Sequence, residues 1–227
     1  MVEATFSRSS ELHISGFISR VYAWMAVGLL VTGGVAAFTA SSAPLLDVIY
    51  GNAVVFWGVL IHEVALVFAL SQSAMHLPSV VLLPLFLLYA ALNGLTLAGL
   101  VLLYTGGSLA VAFLVTAATF GAMSLIGVVT KRDLTGFGNV LLLALIGFIV
   151  ATVVNLFLAS AVLTWLLTYL GIGIFAGLVA ADTQKLLRLN ADAANTGASV
   201  AIRGALAIYL DLINLFLLFL RLFGRRN

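Results

Sequence analysis

Seven apolar windows follow one another along the chain, at about 21–40, 52–71, 79–103, 108–129, 138–159, 161–182 and 204–223. A helix rising ~1.5 Å per residue crosses a hydrocarbon core of ~30 Å in roughly 20 residues, so each window is long enough to span a bilayer. The breaks hold helix-interrupting residues: Ser41-Ser42-Ala43-Pro44, His76-Leu77-Pro78, Thr105-Gly106-Gly107, Lys131-Arg132-Asp133 and the polar stretch 185–199. The least marked boundary is at Ser160, where two windows nearly touch. The expected fold is an all-α polytopic membrane protein with seven transmembrane helices, a single domain over 1–227, and the lipid bilayer is its first partner.

Composition agrees with that class. Apolar residues make up 63% of the chain and charged residues 8%, against about 25% charged in soluble domains, too few to build a wetted surface. The net charge of +2 is spread over short loops with no basic and aromatic patch, which gives no basis for nucleic-acid binding. With no cysteine there is no disulfide, no thiolate catalysis and no cysteine-held metal. Arg8 and Arg20 precede the first apolar run as in a signal peptide, but the run extends to about Ala40 and further spans follow, so it reads as an uncleaved first helix.

Lys and Arg in short loops set orientation. With a cytoplasmic N-terminus, that side collects Arg8, Arg20, Lys131, Arg132, Lys185, Arg188 and Arg203, and the opposite loops carry none. The tail breaks the pattern, because a full seventh crossing puts Arg225 and Arg226 on the other side. Either the last helix crosses and the tail is an exception, or it enters and turns back.

The ionisable residues within the spans are the functional candidates. An ionised carboxylate near the bilayer centre costs at least ~2.5–3.5 kcal/mol, so such a residue faces a partner or a wet cavity and marks a pathway. Asp211 lies about a third of the way into the apolar run 205–224, hence ~10 Å deep. Glu63 lies at ~12 Å on the second span, and Asp182 ends the sixth. All three belong to the cytoplasmic half and can converge. On the last span Gly204, Ala207, Asp211, Asn214 and Leu218 form one stripe at helical spacing, with Asn214 and Tyr209 as supporting polar groups. Gly173 and Gly177 offer a G-x-x-x-G contact on the sixth span.

If Asp182 and Asp211 meet, both cannot ionise cheaply, and the pair takes up and releases protons as a unit. Deprotonated, it offers oxygen ligands that suit a hard cation, so a transient metal site falls on the same two residues. Simpler readings stand beside these: an interfacial pair of Asp182 with Lys185, a packing role for Asp211, and a satisfied structural acid at Glu63. His62 points about 100° away from Glu63 and makes a poor metal partner; His13 and His76 read as loop or interface residues, and Trp24, Trp57 and Trp165 as lipid-facing or interfacial anchors.

Several segments together resemble the Bax inhibitor-1 family in its bacterial branch: Phe120–Leu134 continued by Thr135-Gly136-Phe137-Gly138-Asn139, Ala181-Asp182-Thr183-Gln184-Lys185, Tyr209-Leu210-Asp211-Leu212-Ile213-Asn214-Leu215-Phe216, and Leu220-Arg221-Leu222-Phe223-Gly224. The likeness covers nearly the whole chain. It implies a multi-pass protein of a bacterial inner membrane and seven helices with the last one central; the Lys and Arg pattern puts the N-terminus on the cytoplasmic side. It also implies that Asp182 and Asp211 match a proton-sensing pair that gates a calcium or cation leak, calcium being a permeant ion and no cofactor being bound. There are two departures. The family's latch arginine near the end of the second helix is replaced by Leu70-Ser71-Gln72-Ser73-Ala74-Met75, with no Lys or Arg between Arg20 and Lys131, and its Tyr-Asp pair appears as Ala181-Asp182.

Three functions compete. A pH-sensitive cation leak and a cation/proton exchanger use the same acids. A regulatory protein that binds a membrane protease or another membrane complex is the third, and the sequence identifies neither a partner surface nor an oligomeric state. Enzyme activity is not expected: intramembrane aspartyl proteases resemble a Tyr-Asp and Gly-x-Gly-Asp pair, and this chain has no glycine before its second acid. No His/Asp/Glu cluster has zinc spacing.

Overall fold

A computed structural model describes residues 2–73, 77–191 and 197–227, with side chains from residue 16 onward except 72–73 and 190–191. It holds eight helices: α1 (Val2–Ser41), α2 (Ala43–Tyr50), α3 (Ala53–Ser73), α4 (Ser79–Leu103), α5 (Gly106–Val129), α6 (Thr135–Leu158), α7 (Ala161–Ala191) and α8 (Ala198–Phe223). Seven are long and apolar enough to cross a membrane, and no strand occurs among the described residues. The side chains of Arg8 and His13, and His76 entirely, lie outside the described residues.

Two boundaries differ from the sequence reading, and both move an acid deeper into its helix. α7 does not stop at Asp182 but continues to Ala191, because Thr183, Gln184 and Leu186 are buried and keep the helix packed. α8 begins at Ala198 rather than about 204. The segment after Ser42 is also more ordered than a loop: Pro44 sits in the first turn of α2, where its missing amide costs nothing.

The chain divides into two compact units. The first comprises residues 1–105, 192–209 and 226–227, and the second residues 106–191 and 210–225. In the first unit α1 packs along α4 through a stripe of buried residues, Phe17, Val21, Met25, Gly28, Thr32, Ala36 and Thr39. In a bilayer this contact gains little from the hydrophobic effect, so close backbone approach must supply it. Gly94 permits it: a Cβ there would lie 2.7 Å from the Thr32 carbonyl oxygen and from Val35 Cβ. Across the gap Thr32 Oγ1 donates to the Ala90 carbonyl at 2.9 Å.

In the second unit α7 packs against α5 and α6. Gly127 lies so close to the Ala180 carbonyl of α7 that any Cβ would collide with it. Of the predicted G-x-x-x-G pair, Gly177 meets α6, since a Cβ would come within 2.6 Å of Leu141 Cδ1, whereas Gly173 has open space. The indistinct boundary at Ser160 is a two-residue turn held by Asn155. Its Oδ1 accepts the Ser160 amide at 3.1 Å, and its Nδ2 donates to Thr164 Oγ1 at 2.7 Å.

α8 has the largest buried share of the seven spans. The predicted stripe is only part of its buried surface: Gly204, Asp211 and Leu218 are buried and Ala207 and Asn214 half-buried, while Ile202, Ile208, Tyr209, Leu212 and Leu215 are buried as well. Buried residues fall on several sides of α8, so one stripe could not describe it. α8 runs unbroken to Phe223. In the first unit the Asn227 amide donates to the Leu103 carbonyl at 3.0 Å; in the second the Arg225 amide donates to Ser108 Oγ at 2.9 Å.

Ala159 is the one described non-glycine residue in left-handed backbone, with φ 48°. Ala159→Gly should stabilise the protein by about 0.5–1 kcal/mol, and Asn155→Ala should destabilise it by about 1–3 kcal/mol through the two lost bonds. Thermal unfolding in detergent, read by loss of helical circular dichroism, should move in opposite directions for the two variants.

Candidate functional site

Asp182 and Asp211 both belong to the second unit, on α7 and α8. Asp211 is enclosed, with 5% of its surface exposed, and its Oδ2 has no hydrogen-bond partner within the protein. Asp182 is half-buried, and its carboxylate lies within electrostatic range of Asp211. Lys185, on the next turn of α7 and exposed, is the cation that acts on Asp182. A buried carboxylate oxygen without a partner costs on the order of 1–3 kcal/mol, more when it is charged. Compensation comes from a proton, a water molecule or a cation.

Glu63 belongs to the first unit. It accepts a hydrogen bond from Thr96 Oγ1 at 3.0 Å, and its charge is felt by the phenols of Tyr89 and Tyr209. Tyr209 is fully buried beneath Phe86 and Tyr89, its ring edge-on to both at centroid distances of 5.5 and 6.0 Å. Its hydroxyl lies 2.7 Å from Thr32 Oγ1, so Tyr209 donates to Thr32, and Thr32 donates onward to a carbonyl. Asn214, expected to bond across a helix contact, turns its Nδ2 back to the Leu210 carbonyl of its own helix at 2.8 Å. His62 likewise bonds the Gly58 carbonyl at 2.8 Å, and Trp57 and Trp165 are half exposed, as lipid-facing anchors would be.

Among the described residues no three His, Cys, Asp or Glu side chains gather to hold a metal. Two carboxylates alone supply at most four oxygens, whereas calcium takes 6–8. Water or carbonyl oxygens would have to complete the shell of any cation that met Asp182 and Asp211.

Next to Asp182 lies a polar clamp that sequence reasoning did not find. Gln184 is buried, and its Nε2 donates to the carbonyls of Thr130 and Arg132 at 3.1 and 2.9 Å while Oε1 accepts the Leu134 amide at 2.8 Å. One side chain thus satisfies three backbone groups of the α5–α6 loop. Arg188 adds a 3.0 Å bond to Gln184 Oε1 and a 2.7 Å ion pair with Asp133. Deeper, Thr183 Oγ1 reaches Ser124 Oγ at 3.4 Å. The signal was the Asp-Thr-Gln run itself, but its partners lie some 50 residues away in sequence.

The Arg188 hydrogen bond, followed by two from Thr135, holds the Asp133 carboxyl well below the usual carboxylate range. What the pair contributes is present above the unfolded-state value and is lost only as pH falls through the lowered one.

A sequence model described as "Inhibitor of apoptosis-promoting Bax1" matches residues 14–227. The chain is 47% identical over 215 residues to "Inner membrane protein YbhL" of Escherichia coli (strain K12), covering 93% of this chain and 92% of that protein. An uncharacterised protein of Deinococcus radiodurans is 41% identical over 213 residues, covering 93% and 91%. An uncharacterised membrane protein of Streptococcus pyogenes serotype M3 is 36% identical over 226 residues, covering 96% of both chains.

Gln184→Ala should speed amide exchange across 130–134 and lower stability by about 1–3 kcal/mol, since three loop groups lose their partner. Exchange in the same loop of the unaltered protein, corrected for intrinsic rates, should not change between about pH 5 and 8, because Asp133 stays ionised throughout. Hydrogen–deuterium exchange with mass spectrometry checks both.

Proposed function

Because the chain belongs to the Bax inhibitor-1 family, we propose that it is a bacterial inner-membrane protein that lets cations, calcium among them, leak past Asp182 and Asp211, with protons competing for the same oxygens. The E. coli relative, an inner membrane protein by name, supports the location. The excess of Lys and Arg in alternate loops supports a cytoplasmic N-terminus.

The observation that carries the reading is the unpartnered Oδ2 of the enclosed Asp211, within electrostatic range of a second carboxylate. A structural aspartate in hydrocarbon would have both oxygens satisfied. Here one oxygen is kept for a visitor. Asp182, more exposed and one turn from Lys185, is the better placed of the two to exchange ions with water. Two carboxylates and water make a weak, short-lived calcium site, which suits a permeant ion. On this reading the acids exchange ions and break no covalent bond.

The sign of the pH effect follows from competition. As pH falls, protons occupy the pair and cation flux falls; as pH rises, the oxygens are released and flux increases. In proteoliposomes loaded with a calcium-sensitive dye, Asp211→Asn should lower calcium flux about tenfold or more, equivalent to ~1.4 kcal/mol, and flatten its dependence on pH. Asp182→Asn should shift flux in the same direction. Flux in Asp211→Asn that matches the unaltered protein between about pH 6 and 8 would count against the proposal. Flux that follows an imposed proton gradient, rather than pH itself, would make the protein an exchanger.

A further inference from the structure

Helix α2 hangs between two joints. Before it Ser42 is extended, at φ −110° and ψ 100°, and its amide reaches back to the Thr39 carbonyl at 3.1 Å. After it the Gly51 amide donates to the Asp47 carbonyl at 2.9 Å, and Asn52 Oδ1 caps α3 by accepting the Val54 amide at 2.9 Å. The helix is a strap of eight residues, and its last residue is Tyr50.

The Tyr50 hydroxyl is spliced into the backbone of α4. It accepts the Gly99 amide at 2.7 Å and lies 2.9 and 3.0 Å from the Leu95 and Thr96 carbonyl oxygens. In an α-helix the Gly99 amide and the Leu95 carbonyl are partners four residues apart, so the phenol bonds both ends of one rung of the ladder. Glycine at 99 makes room, since a Cβ there would lie 3.0–3.2 Å from ring atoms Cε1 and Cζ and the hydroxyl oxygen. Burial pushes the Tyr50 phenol up, so it keeps its proton and remains a donor to the carbonyls.

The same stretch of α4 holds Glu63. Thr96, whose carbonyl faces Tyr50, donates its hydroxyl to Glu63 Oε2 at 3.0 Å, with the Asn93 carbonyl also 3.0 Å away. One residue therefore links the strap to an intramembrane carboxylate. The closed strap is also not fully satisfied, for the Thr39 hydroxyl beside its first joint is buried without a partner.

We propose that Tyr50 is a removable pin: while its hydroxyl bonds α4, Thr96 covers Glu63, and when α2 swings out, Gly99 and Leu95 are left to bond each other alone, Thr96 shifts and the carboxylate opens to small cations. Tyr50 is 37% exposed, so it can leave without unpacking a core. This gate concerns Glu63 alone and does not depend on the roles given to Asp182 and Asp211.

The test uses the full chain in lipid nanodiscs and two variants. Tyr50→Phe keeps the ring and removes the hydroxyl; Gly99→Ala keeps the hydroxyl and displaces the ring. Each is read by amide exchange at Gly99 and by modification of Glu63 with dicyclohexylcarbodiimide, quantified by peptide mass spectrometry with Glu63→Gln as the blank. The expected result is slower Gly99 exchange in Tyr50→Phe and a several-fold rise in Glu63 modification in both variants. Unchanged modification in both overturns the proposal. So does slowed exchange without increased modification, which would make Tyr50 a static tie.

Discussion

Inside a bilayer a polar group has only protein to bond, and this constraint sorts the polar residues of the spans into two kinds. Most threonines satisfy themselves locally. Thr116 bonds the Ala112 carbonyl at 2.7 Å, Thr152 that of Phe148 and Thr168 that of Thr164, both at 2.8 Å, each one turn back in its own helix. Asn214 does the same through its amide. A carboxylate has no proton to donate and cannot use this route, so an enclosed aspartate depends on what comes to it. Asp211 is the enclosed acid whose Oδ2 is left without a protein partner.

The same constraint explains how the helices hold together. Apolar side chains gain little by leaving lipid for one another, so contact depends on close backbone approach and on hydrogen bonds that cross between helices. Gly94 on α4 and Gly127 on α5 supply the approach. Thr32 and Gln184 supply the bonds, to the Ala90 carbonyl and to the α5–α6 loop. Where the two coincide, as at Gly94 and Thr32, a small residue on one helix brings a polar group of the other within reach.

The spans were legible because roughly 20 apolar residues in succession have one outcome in a membrane, and all seven appear as helices. Their ends were less so. The continuation of α7 past Asp182 depends on the burial of Gln184 and Leu186, which only tertiary packing reveals. Short α2 escaped notice because its eight residues are too few to cross a bilayer and follow the Ser41-Ser42-Ala43-Pro44 break. At the candidate site, depth and helical spacing singled out Asp182, Asp211 and Glu63. They did not reveal that Thr96 bonds Glu63, that Tyr50 enters α4, or that Gln184 secures a loop. Each of those bonds joins residues more than 30 positions apart, and no local pattern encodes such a partner.

Under the proposed function, the absence of Lys and Arg from residues 21–130 narrows how the acid pair can be controlled. The second and third spans have no permanently charged cation to offer it. The cation that does act on Asp182 is Lys185, on the same helix and one turn away. A latch carried by another helix can be withdrawn by moving that helix, but a charge fixed to α7 travels with the acid it serves. Rigid displacement of α7 leaves the Asp182–Lys185 relation intact. Under the proposed function, what varies is then the occupancy of the unpartnered Asp211 oxygen, by a proton or by a metal cation. Control by ion competition of this kind needs no cation from another helix.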